Sequence, residues 1–131
     1  MSGEMERAIR EVLESEGRGI VERAAADILR ALLLLYGSAW ESDLMDTLTC
    51  LWGIRGMSLE EMGEATSALP AAEKLLAERG LIRVETRYKA DLGKSEASLE
   101  KFISTDHLYA LMRMFSGDPD LNKLRFQMQQ G

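Results

Sequence analysis

The stretch LLAERGLIRVETRY, residues 75–88, changes character at a glycine. Before Gly80 the apolar residues Leu69, Ala72, Leu75 and Leu76 recur at helical spacing. After it, Ile82, Val84, Thr86 and Tyr88 alternate with Arg83, Glu85, Arg87 and Lys89, the period of a strand. A helix that stops on a C′ glycine and feeds an amphipathic strand is therefore expected here. LEKFIS (99–104) reads as the returning strand of a hairpin, and the turn-rich KADLGKSEA lies between the two.

Working outward, Pro70 suits the first turn of the helix that ends at Arg79, because its missing N–H costs nothing there. Upstream, Ser58 followed three residues later by Glu61 forms a capping-box pattern and predicts a short helix at about 59–65, with a break at TSAL (66–69). A further helix is expected from Glu41 to Trp52, with Leu44, Met45, Leu48, Leu51 and Trp52 inward. Residues 4–15 carry the stripe Met5, Ala8, Ile9, Val12 and Leu13, opposite the potential pairs Glu6–Arg10, Arg7–Glu11 and Arg10–Glu14. Ile20 to Tyr36 is apolar nearly all round after Ala24, so it needs cover from the core or from a second subunit. Beyond the hairpin, Thr105 or Asp106 can cap a helix with Leu108, Leu111, Met112 and Phe115 as its stripe. Asp118 and Pro119 then suit the N-cap and N1 of a last helix with Leu121, Leu124 and Met128 on its apolar face.

The order of three helices and a hairpin, with Leu69, Leu76, Gly80, Leu81 and Ile82 at their spacings, resembles a winged helix-turn-helix, broadly of the MarR type. The segment SLEEMGEATSALPAAEKLLAERGLIRVE carries the likeness, which covers about residues 40–105 at the level of the superfamily. Glu73 stands where that pattern often has a large apolar residue, and Pro70 lies within the segment that usually presents reading side chains. The resemblance implies a mainly α fold with a small β-hairpin: one domain over 1–131, with an N-terminal helical extension (1–38), a winged-helix core (40–105) and C-terminal helices (106–131).

It also implies a DNA-binding transcription regulator, and the charges bear on that. The chain has 16 basic and 22 acidic residues, net −6, which argues against nonspecific coating of nucleic acid. Residues 80–105 alone lean positive, with 5 basic against 4 acidic. Base readout needs long donors on the exposed helix face. The outward side of the reading helix is Pro70, Ala71, Lys74, Ala77 and Glu78, so Lys74 is its one good donor, and Glu78 can neutralise it. Thr66 and Ser67 at the helix start could touch DNA or serve as caps. Arg83, Arg87 and Lys89 on the strand, with Lys94 near the hairpin tip, suit phosphate contacts. Alternatively they form a solvated face paired with Glu85, Glu96 and Glu100.

Two readings result. One is a dimeric winged-helix protein that binds duplex DNA mainly through the wing, its helical extensions building the dimer. The other is a winged-helix module that docks on a protein partner and binds no DNA. Catalysis is not expected: His107 is the single histidine, and no phosphate loop, metal-ligand spacing or cofactor motif accompanies it. Cys50, alone within LTCLW, is expected as a buried reduced thiol, and the methionines and tryptophans fall mainly at core-type positions. No signal peptide or membrane span is read, and the expected compartment is the cytoplasm.

Overall fold

The computed structural model describes residues 2–90, 93 and 96–130. Helix α1 (Ser2–Ser15) passes through a single 3-10 turn (Glu16–Arg18) into α2 (Ile20–Leu34). A short strand β1 (Ser38–Trp40) precedes α3 (Glu41–Ile54) and α4 (Leu59–Glu78). The hairpin strands β2 (Arg83–Lys89) and β3 (Ser98–Ser104) follow, then α5 (Leu108–Met114) and α6 (Pro119–Gln130). The three strands form one antiparallel sheet in the order β1–β3–β2, so the chain is mainly α with a small sheet. Among the described residues no helix is long and apolar enough to cross a membrane.

Helix α2 is the centre of the core. Every residue from Ala24 to Leu34 is buried, and α1, α3, α4, α5 and α6 all pack on it. An all-round apolar helix must be covered on several sides, and here the chain itself supplies the cover. Ile9 and Val12 of α1 and Leu111, Phe115, Leu121 and Leu124 of the C-terminal helices are buried in this layer. The extensions are thus part of one core. The potential pairs within α1 give way to links with other elements. Glu6 pairs with Arg113 of α5 and Glu11 with Arg79 beyond α4.

The largest departure from the sequence reading is α4. The break expected at TSAL is absent, and one helix of 20 residues runs through Pro70. Its apolar face explains why: Ala65, Ala68, Leu69, Ala72 and Leu76 are buried in one unbroken stripe, against α2. Pro70 removes the N–H that would bond to the Thr66 carbonyl, a defect of about 3 kcal/mol in a helix interior. Thr66, Ser67 and Pro70 are all exposed, so water can satisfy that carbonyl. The two helices and intervening turn placed at 59–79 are therefore one element.

The caps expected for α4 and α6 hold, whereas α5 starts after His107, which makes no side-chain cap bond, and not after Thr105 or Asp106. Ser58 Oγ accepts from the Glu61 N–H and Glu61 accepts from the Ser58 N–H, a complete capping box. Asp118 caps α6 by accepting from the Leu121 N–H at 2.9 Å, and Pro119 is the first residue of that helix. Strand β1 was not read from the sequence. Its three residues pair Ser38, Ala39 and Trp40 with Ser104, Ile103 and Phe102. Cys50 is exposed rather than buried, because it lies on the solvent side of α3, opposite the buried Leu44, Leu48, Leu51 and Trp52. Met112 and Met128 are likewise about half exposed, at 51% and 52%.

Helices α2, α3 and α4 end in the same Schellman geometry. In α3 and α4 the left-handed C′ residue is a glycine, Gly56 and Gly80, each at φ 73°. In α2 it is Tyr36 at φ 60°, with the Tyr36 N–H bonded to the Leu33 carbonyl and the Gly37 N–H to that of Leu32.

Candidate functional site

Strand alternation assigns the hairpin residues to two faces. Arg83, Glu85, Arg87 and Lys89 of β2 stand opposite Ser104, Phe102, Glu100 and Ser98 of β3, with Ser38 and Trp40 of β1 completing that face. The other face carries Val84, Thr86 and Tyr88 opposite Ile103, Lys101 and Leu99. Helix α4 belongs to the second face. Its Glu73 accepts from Lys101 Nζ at 3.1 Å, while Ile103, Ala72 and Leu76 meet in the core.

The cations of the first face each have a carboxylate of their own chain. Arg83 donates to Asp106 at 2.9 Å. Arg87 pairs with Glu85 at 3.1 Å and stacks its guanidinium 4.4 Å from the Phe102 ring centroid. Lys89 lies 3.7 Å from Glu100, donates to Ser42 Oγ at 3.1 Å and sits 5.5 Å from the Trp40 ring. Trp40 and Phe102 meet edge to face at 5.2 Å, a half-buried aromatic base under the cations. Glu100 also accepts from the Ser42 N–H and hydroxyl, and these bonds hold its carboxyl below the usual range. Three cations and three carboxylates leave this face neutral.

The residues nominated for DNA contact are accordingly divided. Thr66, Ser67 and Lys74 lie exposed on α4, while Arg83, Arg87 and Lys89 lie on the sheet face turned away from α4. Thr66 spends its hydroxyl on the Met62 carbonyl at 2.8 Å. Lys74 has no ion-pair partner among the described residues, Glu78 included, so the expected neutralisation within α4 is not formed. Pro70, Ala71, Ala77 and Glu78 complete the outward side, as read from the sequence. Lys94 lies outside the described residues.

Four features are not legible in the sequence as they stand in the fold. The first is the burial of Glu73, which the sequence marks only as a departure from the winged-helix resemblance. Burial pushes its carboxyl up, against the pull of Lys101, and Glu73 in turn raises Lys101. The second is a buried ionic cluster. Asp27, 1% exposed, accepts from Arg30 (2.9 Å), from Trp52 Nε1 (3.1 Å) and from both terminal nitrogens of Arg55 (2.8 Å each). Arg30 also grips Glu16 with two bonds and Asp118 with one, and Arg55 reaches Asp120. Burial alone would lower Arg30, but Glu16 and Asp118 outweigh it and hold the guanidinium above its usual value. The cluster ties the 3-10 turn, α2, α3 and α6 together and backs a cleft of about 270 Å³ lined by Arg18, Arg23, Asp27, Trp52, Met57 and Glu64. Asp27 has its oxygens fully engaged, so this cluster is structural.

The third is Tyr36, 86% exposed in its left-handed conformation. The fourth is the outer edge of β2, which among the described residues pairs on one side only. His107 sits at the start of α5 with Nε2 3.1 Å from the Gly80 carbonyl, a tie between helix ends. Among the described residues no group of three or more His, Cys, Asp or Glu is placed to hold a metal. Compared with family models, curated proteins and solved structures, the chain matches none.

Proposed function

We propose that this chain is a winged-helix-type module that works by protein–protein association, with the hairpin and its flanking α4 surface as the docking region. The winged-helix part of this reading rests on element order: α2, α3 and α4 are followed by the β2–β3 hairpin. The association part rests on one observation. The wing cations Arg83, Arg87 and Lys89 are each matched by a carboxylate of the same chain, on a face turned away from α4.

Duplex DNA demands the reverse arrangement, a net positive strip that continues from the helix onto the wing. Exposed ion pairs are individually weak, about 0–1 kcal/mol, so phosphate could displace a carboxylate locally. It would still meet the displaced Asp106, Glu85 or Glu100 a few ångströms away. The α4 face adds a single long donor, Lys74, between small apolar residues. Small apolar side chains with exposed Val84, Tyr88 and Leu99 beside them suit a protein surface better than a phosphate backbone.

Gel-shift titration on mixed-sequence duplex DNA at low and at physiological salt tests this reading. The expected result is no saturable binding at either salt. Saturable, salt-sensitive binding that disappears when Arg83, Arg87 and Lys89 are all replaced by Ala would overturn it in favour of a wing-dominated DNA-binding protein.

A further inference from the structure

The outer edge of β2 carries a self-complementary sequence. This strand is seven residues long, every side chain from Arg83 to Tyr88 is exposed, and among the described residues no strand pairs with it on the side away from β3. An open edge of that length displays unpaired N–H and C=O groups to any strand that can lie beside it. Native edges are usually blunted by a proline, a bulge or charged side chains, lysine above all; β2 carries four charges, Arg83, Glu85, Arg87 and Lys89, each paired within its own chain. The centre of β2 is Thr86, with no proline or glycine anywhere in the strand.

We propose that the partner of this module is a second copy of the same chain, joined by antiparallel pairing of the two β2 edges about a two-fold axis at Thr86. This rests on the association reading above. In that register Thr86 faces Thr86 of the second copy. Glu85 faces Arg87 of the second copy, and Arg87 faces its Glu85. Val84 and Tyr88 face each other in the same reciprocal way. These are threonine, opposite-charge and aromatic–β-branched pairs, the combinations that stabilise neighbouring strands. Within one chain Glu85 and Arg87 already pair along the strand at 3.1 Å, so each has only to exchange a partner for its symmetry mate. Arg83 faces Lys89 of the second copy at the ends, where Asp106 and Glu100 neutralise them.

The register is selected by charge. Centring the axis on Glu85 sets two glutamates opposite each other and Arg83 against Arg87. Centring it on Arg87 sets two arginines opposite each other. Centring it on Val84 or Tyr88 leaves four residues at one end of each strand without an opposite strand residue. Only the Thr86 axis overlaps all seven residues and opposes unlike charges at the centre. The product is a closed two-fold pair with one continuous six-stranded sheet, the symmetry most common among homo-oligomers. Helices α1, α2, α5 and α6, the extensions expected from the sequence to build a dimer, are not needed for it.

Sedimentation velocity across a concentration series, on the full chain, is the test. The unsubstituted chain is expected to show a reversible monomer–dimer equilibrium. Glu85→Arg alone and Arg87→Glu alone should each weaken it by roughly tenfold or more, since two symmetry-related pairs change sign. An equimolar mixture of these two variants should recover a heterodimer, because each supplies the charge that the other lacks. A register-specific check uses Thr86→Cys in a Cys50→Ser background. Oxidation should give a covalent dimer, since directly opposed Cα atoms of antiparallel strands lie within disulfide reach. A monomer at every concentration, or a dimer indifferent to both charge reversals and not cross-linked through position 86, overturns the proposal. Such a result with no DNA binding leaves the association reading standing; DNA binding by the wing defeats that reading whatever the oligomeric state.

Discussion

Replacing Tyr36 by glycine should make this protein more stable, although it deletes a large side chain. The left-handed backbone costs an L-residue about 1–2 kcal/mol, and Tyr36 adopts it at φ 60°. Its ring returns little, being part of a residue that is 86% exposed. Glycine removes the strain but enters the unfolded chain with more freedom, which takes back about 0.5–1 kcal/mol. The balance is a gain of about 0.5–1 kcal/mol, or about 2–5 °C in Tm for a chain of this size.

Two equivalent positions provide the opposite experiment. Gly56 and Gly80 occupy the same C′ site at φ 73°, and a Cβ added at either meets nothing within 4 Å. Alanine there therefore suffers only the backbone penalty, and each substitution should lose about 0.5–1 kcal/mol after the unfolded-state term. Urea denaturation followed by far-UV circular dichroism reads all three, with m-values compared to confirm that the unfolded state is unchanged. Tyr36→Ala is the decisive control, because it removes the ring and keeps the strained φ. If Tyr36→Ala stabilises as much as Tyr36→Gly, or if the glycine variant loses stability, the strain argument fails.

Further outcomes follow from the core and from α4. Asp27→Ala should cost about 3–5 kcal/mol in chemical denaturation, because it leaves the Arg30 and Arg55 charges facing a vacated buried site. Pro70→Ala should gain about 2 kcal/mol, the helix-interior penalty less the entropy that proline removes from the unfolded chain; a loss would mean that the chain breaks at TSAL after all. Glu73→Gln should stabilise at neutral pH. A carboxyl raised in the folded state binds its proton more tightly there, so its penalty is absent below the unfolded pKa of about 4.3 and grows as pH rises through the folded value. The variant's advantage should accordingly vanish in acid, and a gap that widens on acidification would show the sign to be wrong.

The sequence carries most of these boundaries and few of these partners. Ser58, Gly80 and Asp118 mark helix ends because caps and left-handed residues act within three or four positions. The β2 alternation is equally local. Pro70 misleads because its local effect opposes a tertiary one. The stripe Leu69, Ala72, Leu75 and Leu76 is visible as a helical period, but its continuation back to Ala65 and the weight of its burial on α2 are not. Strand β1 is too short to show any period. Asp27 and Arg30 read as interruptions in an apolar run, since Asp118 lies 88 residues from Arg30 and Arg55 lies 28 from Asp27. The faces of Arg83 and Arg87 were legible, but that Asp106 would meet Arg83 depends on how α5 leaves the sheet.

What distinguishes the two classes of partner is which groups the fold leaves unsatisfied. A DNA-binding surface keeps cations in reserve, and their worth to the complex is the release of counterions from phosphate. Here the fold commits many of them, though among the described residues not Lys74: Arg30 and Arg55 to the buried cluster, Arg79 and Arg113 to α1, and Lys101 to Glu41 and Glu73. The hairpin cations are committed in the same way, with Arg87 and Lys89 on top of an aromatic pair that fixes their height above the sheet. Among the described residues of the hairpin, the uncommitted groups are instead the backbone donors and acceptors along the outer side of β2. Exposed ion pairs are weakened by salt, whereas strand pairing is carried by short-range hydrogen bonds and side-chain contact. Self-association through this edge should therefore persist at salt concentrations that abolish phosphate binding, and an assembly that dissolves as salt rises would place its origin in the charges and not in the strand.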